Sequence, residues 1–431
     1  MSGWGRYPRI EAEVVHARRI ADIRSAIAEG PLIARGLGRS YGDSSLGRRM
    51  LDMTALDGFI HFDSDAGQLT VEAGVPLSAI LTVSVPRGWF LPVTPGTQFV
   101  TVGGAIASDV HGKNHHQHGS FSDHITSFAL LIATGEILEV SPDSHPDLFR
   151  ATCGGMGLTG VILTATLTML RVESSNVEET VVKAPSLDAA LAAFTDYTNT
   201  TYSVAWIDLV ASGRDLGRSL VMLGEHATDG RLTTKPVRAR GSVPVTMPAC
   251  LLNRATVTAF NKLYYGRIRG DELRHRVPFE PFFYPLDKAA HWNRLYGRAG
   301  FIQYQLVIPL SQGRERLRDI LERIARAGIA SPLAVLKVFG EANHNPLSFP
   351  MPGYTLALDF KATTRAFALA EELDRLVIAA GGRIYLTKDS RMSADTFRAG
   401  YPDIDEFERI RAAYGAAGVF TSAQSVRLGL T

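Results

Sequence analysis

Three constellations of glycine and small residues, all between residues 35 and 161, constrain this chain more than any other feature. The first is Arg35-Gly36-Leu37-Gly38-Arg39-Ser40-Tyr41-Gly42-Asp43. Its glycines let backbone N–H groups approach an anion closely, Arg35 and Arg39 add charge, and Ser40 and Tyr41 add hydroxyl donors. The spacing is neither the dinucleotide fingerprint nor the P-loop, so taken alone it describes a tight structural loop equally well. The second runs from Pro95-Gly96-Thr97 through Gly103-Gly104-Ala105-Ile106-Ala107-Ser108 to His111-Gly112-Lys113-Asn114. A Gly-Gly opening a run of small residues lets a helix start approach a planar or diphosphate ligand, with His111, Lys113 and Asn114 as polar groups at its far end. The third, Cys153-Gly154-Gly155-Met156-Gly157-Leu158-Thr159-Gly160-Val161, sits at a helix-to-strand junction. Its thiol has no paired base within the motif and reads as a small buried group rather than a nucleophile.

Around these loops the pattern alternates helix and strand. A helix is predicted over 17–29, a strand pair over 59–63 and 68–73, a hairpin over 125–140 about Thr134-Gly135-Glu136, and one β-prone run over 160–172. After about residue 175 the glycine loops stop. Strands are expected at 204–210, 219–223 and 303–309. Two β-α-β units follow, 303–309/313–327/333–339 and 354–360/363–380/383–387, and a last helix covers 403–413. For 431 residues, two domains of α+β class are the natural reading.

Composition excludes several classes. The net charge of +2 argues against a nucleic-acid binder. Two cysteines, Cys153 and Cys250, cannot build a disulfide scaffold. The first residues lack an apolar signal core and no run reaches spanning length, so a cytoplasmic protein is expected. One asymmetry hides in the average. Residues 231–280 hold ten Lys and Arg against three Asp and Glu, a local +7 that leaves −5 for the remainder. With Leu251, Leu252, Phe260, Tyr264 and Tyr265 interleaved, the segment reads either as a solvated insertion or as a surface for anionic lipid on the inner face of a membrane. Five histidines between 111 and 124 invite a metal reading, but their spacing matches no ligand pair and no metal is expected. A colourless, zinc-loaded, non-catalytic protein is the competing class.

These motifs occur together with Trp292-Asn293-Arg294, Gln303-Tyr304-Gln305, Lys337-x-Phe339-Gly340, Pro346-Leu-Ser-Phe-Pro350 and Tyr385-x-x-Lys388-Asp389-Ser390-Arg391. In this order the whole resembles the flavoproteins of the vanillyl-alcohol-oxidase / para-cresol-methylhydroxylase fold, and within it the decaprenylphosphoryl-β-D-ribose 2-oxidase family. The resemblance covers nearly the whole chain and is weakest at 231–280.

The resemblance implies a two-domain, PCMH-type FAD-binding fold with an antiparallel-sheet substrate domain. Residues 1–175 would bind FAD, 176–382 substrate, and 383–431 would return to the FAD domain. Loop 35–43 and segment 95–120 would hold the diphosphate and isoalloxazine. Gly155, Gly157, Gly160 and Val161 would help hold the adenosine half. Relatives with covalent flavin carry a histidine where Arg39 stands, so FAD is expected to be non-covalent. The implied reaction is oxidation of the C2 hydroxyl of a polyprenylphosphoryl-β-D-ribose to the 2-keto sugar, with hydride passing to flavin N5. It would be the first half of an epimerisation completed by an NAD(P)H-dependent keto-reductase partner. The alternative is the same chemistry on a soluble sugar, alditol or nucleoside. Lys388, His111, Lys337 and Gln305 are the catalytic candidates, and Lys113, Gln305, Lys337, Ala357, Asp359 and Lys388 the substrate-binding ones. Mycobacterial members carry a cysteine where this chain has Ala357, so a reagent relying on that thiol is expected to fail here.

Overall fold

The structure, a computed structural model, describes residues 1–234, 241–248, 251–329 and 331–430. Lys235, Arg238, Arg240 and Cys250 lie outside them. Near the N-terminus, strands β1 (Glu13–His16), β2 (Ile33–Arg35) and β3 (Arg49–Asp52) form a parallel sheet in the order β1-β3-β2. A five-stranded antiparallel sheet follows, made of β4 (Phe59–Asp63), β5 (Gln68–Glu72), β6 (Ile125–Leu131), β7 (Ile137–Val140) and β8 (Val161–Thr168) in the order β4-β5-β8-β6-β7. The hairpin about Thr134-Gly135-Glu136 is β6–β7. Helix α1 (Val102–Ala107) opens at Thr101, whose hydroxyl oxygen accepts from the Gly104 amide and fills one of the first turn's orphan donors.

An eight-stranded antiparallel sheet is built from β9 (Asn176–Ala184), β10 (Tyr202–Ile207), β11 (Ser219–His226), β12 (Glu272–Pro278), β13 (Phe301–Pro309), β14 (Ala334–Phe339), β15 (Gly353–Lys361) and β16 (Arg383–Ile384). Its order is β12-β9-β11-β10-β14-β15-β13-β16. The two β-α-β units interleave: β15 lies between β13 and β14, and β13 between β15 and β16. Helices α3 (Leu310–Ala327) and α4 (Thr364–Ala379) pack on one face of this sheet. Side chains alternate along a strand, so each cross-strand row belongs to one face. The row Leu306–Leu356–Leu336 is fully buried and lies in one apolar core with Leu317, Ile320 and Ile324 of α3. The adjacent row Gln305–Ala357–Val335–Trp206 faces the other way. Two residues along the strands from Gln305, the row Lys337–Thr355–Val307 lies on that second face.

The strand expected over 383–387 ends at Ile384. The Tyr385 amide still reaches the Gln305 carbonyl at 2.9 Å, and then the chain turns, with the Lys388 amide donating to the Tyr385 carbonyl at 3.1 Å. That turn delivers Lys388 to the open face. The last segment packs on the first. Leu32 bridges Phe420, Arg427 pairs with Asp43 at 2.8 Å, and Arg411 on α5 (Ile404–Ala413), fully buried, donates to the Leu158 carbonyl at 3.0 Å.

Candidate active site

The open face of the eight-stranded sheet, the glycine loops and α1 enclose a cavity of about 660 Å³, within the range of ligand pockets. Arg35, Gly36, Gly38, Arg39, Ser40, Tyr41, Pro95, Gly96, Thr97, Gly103, Gly104, Ser108, His111, Gly112, Lys113, Gly157 and Gly160 line one side. Gln303, Gln305, Lys337, Ala357 and Lys388 line the other. Two loops separated by about 350 residues thus face each other across one space, which no sequence spacing conveys.

Five of the sequence candidates stand behind the wall. Gly42 is packed on backbone, where an added Cβ would fall 1.7 Å from the Asp389 carbonyl oxygen. Asn114 turns its amide to the Pro92 carbonyl at 2.7 Å. Gly155 abuts Ala151, and Val161 points into an apolar cluster while its neighbour Ile162 lines the cavity. Asp359 is buried; its carboxylate accepts from Gln303 Nε2 at 2.6 Å and from the Tyr296 hydroxyl at 3.2 Å.

On the loop side, the amides of residues 36–40 donate no hydrogen bond among the described residues. Backbone donors left open beside a cavity form a ready anion cradle. Gly36 is required there, because a Cβ would sit 2.2 Å from the Thr101 hydroxyl at the start of α1. Arg39 lies over the Trp4 ring at 4.1 Å and the Phe99 ring at 5.3 Å. Asp287 accepts from the Thr97 hydroxyl at 2.7 Å and the Gln98 amide at 3.0 Å, tying the 95–98 turn to the opposite side. Cradle, stacking cation and flanking glycines fit a dinucleotide with a planar ring.

On the sheet side, His111 is the centre. Its Nε2 meets Gln305 Nε2 at 3.0 Å and its Nδ1 meets Lys337 Nζ at 3.1 Å. Phe339, Phe349 and Tyr385 surround the ring. Burial first, and Lys337 whenever it is charged, hold the imidazole well below its ordinary pKa, so the ring is neutral. With Gln305 donating to Nε2, the ring proton sits on Nδ1 and Lys337 accepts it as a free amine. Burial, with Lys113 and Lys388 adding repulsion, lowers Lys337 to about 7. Lys388 lies 4.0 Å from the centroid of the Tyr41 ring and is lowered to about 7 by burial, against the pull of Asp359. Lys113 donates to the Phe282 carbonyl and is lowered to about 8 by burial, with Glu179 opposing.

The remaining histidines of the cluster do other work. His115 is buried against Phe339, His116 bonds the Thr200 carbonyl at 2.9 Å, and His124 the His118 carbonyl at 2.8 Å. Among the described residues, no group of three His, Cys, Asp or Glu is arranged to hold a metal ion.

The sequence reading missed several wall residues. Asp287 and the aromatic pair Phe282–Phe283 come from segments with no glycine signal, whereas Trp4 stands between Gly3 and Gly5, a signal that could have found it. Trp206 and Tyr385 had signals, the alternation of its strand for the first and the Tyr385-x-x-Lys388 motif for the second. Asp109 was also missed. It is fully buried, takes a positive φ of 37°, and accepts from Asn343 at 2.7 Å, from Ser348 at 2.6 Å and from the Ser122 amide at 3.1 Å, fixing the turn that presents His111.

Residues 6–141 match the family described as FAD binding domain. The chain is 40% identical to decaprenylphosphoryl-β-D-ribose oxidase of Mycolicibacterium smegmatis, an alignment that takes in all of this chain and 97% of that protein. It is 37% identical to an uncharacterized protein in the mprA 5′ region of Streptomyces coelicolor, over 83% of this chain and all of that protein. A shorter likeness, 34% identity over 27% of each chain, links it to L-gulonolactone oxidase of Mus musculus.

Proposed function

The chain belongs to the family of decaprenylphosphoryl-β-D-ribose oxidase, FAD-dependent oxidoreductases, and from that premise we propose that it oxidises the C2 hydroxyl of a polyprenylphosphoryl-β-D-ribose to the 2-keto sugar. The observation that carries the proposal is the Gln305–His111–Lys337 array set across the cavity from the open amides of loop 36–40. FAD, when bound, supplies the acceptor for the C2 hydride.

The residues of the chain supply the rest. Residues 36–40 and the 95–97 turn bind the anionic part of the dinucleotide, and residues 157–162 close the far side. In this reading 1–175 with 383–431 form the FAD domain and 176–382 the substrate domain. No cysteine lines the cavity among the described residues and Arg39 holds the first-loop position, which supports a non-covalent cofactor. Gln305 and His111 orient the carbinol. Lys337, a free amine near neutral pH, takes the hydroxyl proton as the C2–H bond breaks and the C2–O double bond forms. His111 receives no net proton, because its ring is too costly to charge. Lys388, close to Asp359 and over Tyr41, supplies positive charge on the loop side, where an anion develops as hydride arrives. A 2-keto sugar is returned to an alcohol by hydride addition, so an NAD(P)H-dependent keto-reductase is the natural consumer.

No helix of the described residues is long and apolar enough to cross a membrane. A peripheral contact is supported by α2 (Arg254–Gly266) and its flanks. Val245, Leu251, Phe260, Leu263 and Leu273 are exposed there, interleaved with Arg254, Lys262, Arg267 and Arg269. Such a surface suits contact with an anionic membrane face, in this reading the cytoplasmic one.

The test is anaerobic mixing of the flavin-loaded protein with farnesylphosphoryl-β-D-ribofuranose. Bleaching of the flavin band with formation of the 2-keto sugar is expected. Bleaching by free sugars, alditols or nucleosides alone would favour the soluble-substrate reading, and a protein that takes up no FAD would end both.

A further inference from the structure

Three lysines, Lys113, Lys337 and Lys388, stand half-buried in the wall of one cavity, and none has a carboxylate within hydrogen-bonding distance among the described residues. Amines shielded from water with no carboxylate partner are costly to charge, and a cavity wall that carries three of them favours an anionic ligand. Two have work already. Lys337 is held by His111, and Lys388 faces Tyr41 on the loop side.

Lys113 stands elsewhere. Its Nζ lies 4.3 Å from the centroid of the Phe282 ring and donates to the Phe282 carbonyl, at the seam between the polar floor and an apolar branch lined by Val204, Met222, Val277 and Phe283. One of its three ammonium hydrogens is committed, which leaves two. Glu179, the carboxylate on that wall, is engaged by His275 Nε2 at 3.1 Å. In a glycosyl phosphate the phosphorus is three bonds from C2, so its counter-ion must stand within one sugar's width of His111. Lys113 is two residues along the chain from His111. Arg267, the cation on the cavity wall beyond Trp206 and Tyr264, does not meet that condition. The row Gln305–Ala357–Val335–Trp206 crosses four strands, the Tyr264 ring is a further 4.8 Å on, and Arg267 a further 4.1 Å.

We propose that Lys113 is the phosphate-recognising residue of the substrate site. It binds the phosphodiester at the point where a sugar seated on His111 and Gln305 gives way to an isoprenoid chain in the Val204–Met222–Phe283 branch. The site thereby selects an anionic group on the carbon next to the carbinol. The assignment rests on the phosphoryl-ribose reading above.

The test compares farnesylphosphoryl-β-D-ribofuranose with the neutral farnesyl β-D-ribofuranoside in the wild type, Lys113→Met and Lys113→Arg, with flavin content measured for each. The ratio of kcat/KM for the two substrates is expected to fall about 10- to 100-fold in Lys113→Met, as for a lost charge-assisted hydrogen bond, and to recover at least in part in Lys113→Arg. Direct binding of farnesyl phosphate, read by quenching of tryptophan fluorescence, is expected to weaken in Lys113→Met by a similar factor. An unchanged ratio in a flavin-loaded Lys113→Met overturns the assignment. A wild type inactive on the phosphoryl ribose would instead overturn the substrate reading itself.

Discussion

Lys337 Nζ lies 3.1 Å from His111 Nδ1, and the other nitrogen of that ring is held by Gln305 at 3.0 Å. The ring is thus held at both nitrogens, with an amine at its edge.

If Lys337 takes the substrate proton, Lys337→Met should slow flavin reduction by about 10²–10⁴-fold, the usual worth of a positioned general base, with flavin content retained. In the wild type the rate should climb with pH through about 7, as Lys337 loses its proton. Lys388 loses its charge over the same range, so the two requirements overlap in a narrow bell centred near pH 7. Stopped-flow bleaching across pH reads both limbs, and a flat profile would exclude this assignment.

Asp359 gives a stability signature independent of turnover. Burial raises its carboxyl to about 7, with Gln303, Lys388 and Tyr296 opposing. The folded state therefore keeps a proton that the unfolded chain releases near pH 4, so stability falls as pH rises from about 4 to 7. Asp359→Asn should flatten the Tm–pH curve over that range and be the more stable form at pH 8, by about 1–3 kcal/mol. Parallel curves for the two proteins would contradict the assigned proton.

Two glycines of the same loop should fail differently. Gly36→Ala pushes a methyl group onto the Thr101 hydroxyl beneath the open amides, and flavin occupancy should drop most. Gly42→Ala strikes the Asp389 carbonyl, and unfolding in denaturant should show a loss of about 1–3 kcal/mol. Equal effects on occupancy and stability would mean that the cradle and its support are not separable.

Ala357 lies in the cavity wall beside Gln305 and Val335. In a Cys250→Ser background the enzyme should resist iodoacetamide, since the remaining Cys153 is fully buried and its thiol pKa is raised well above normal by burial. Ala357→Cys, near half-buried lysines that favour a thiolate, should be inactivated and carry one adduct at that position by mass spectrometry.

The exposed apolar residues of α2 give the membrane prediction. Leu263 is 77% exposed and Phe260 47%. Vesicles containing anionic lipid should sediment the protein, less at high salt. The double substitution of Phe260 and Leu263 by Ser should release it with oxidation of a short-chain substrate retained.

The glycine clusters announced an anion cradle because only backbone without Cβ can approach a phosphate, a local property legible from residue type. The α+β alternation was legible for the same reason, since apolar periodicity is set strand by strand and helix by helix. Ala357 and Gln305 could be named on resemblance, but not that they stand opposite each other in one row. Gly42 and Asn114 looked the same as their neighbours in sequence. Only packing turned one toward Asp389 and the other toward Pro92.

The sequence by itself determined a cofactor-binding loop set, a sheet-rich second half and a pool of lysines and histidines. It could not say which of these share a space, because pairing of β13, β14 and β15 and the turn at Tyr385–Lys388 join residues about 200 to 350 positions apart. Tertiary structure decided that His111 meets Lys337, that Asp359 stands behind the wall, and that three half-buried lysines share one cavity wall. Burial in common, a property of no single residue, is what brings those amines close to neutrality at physiological pH.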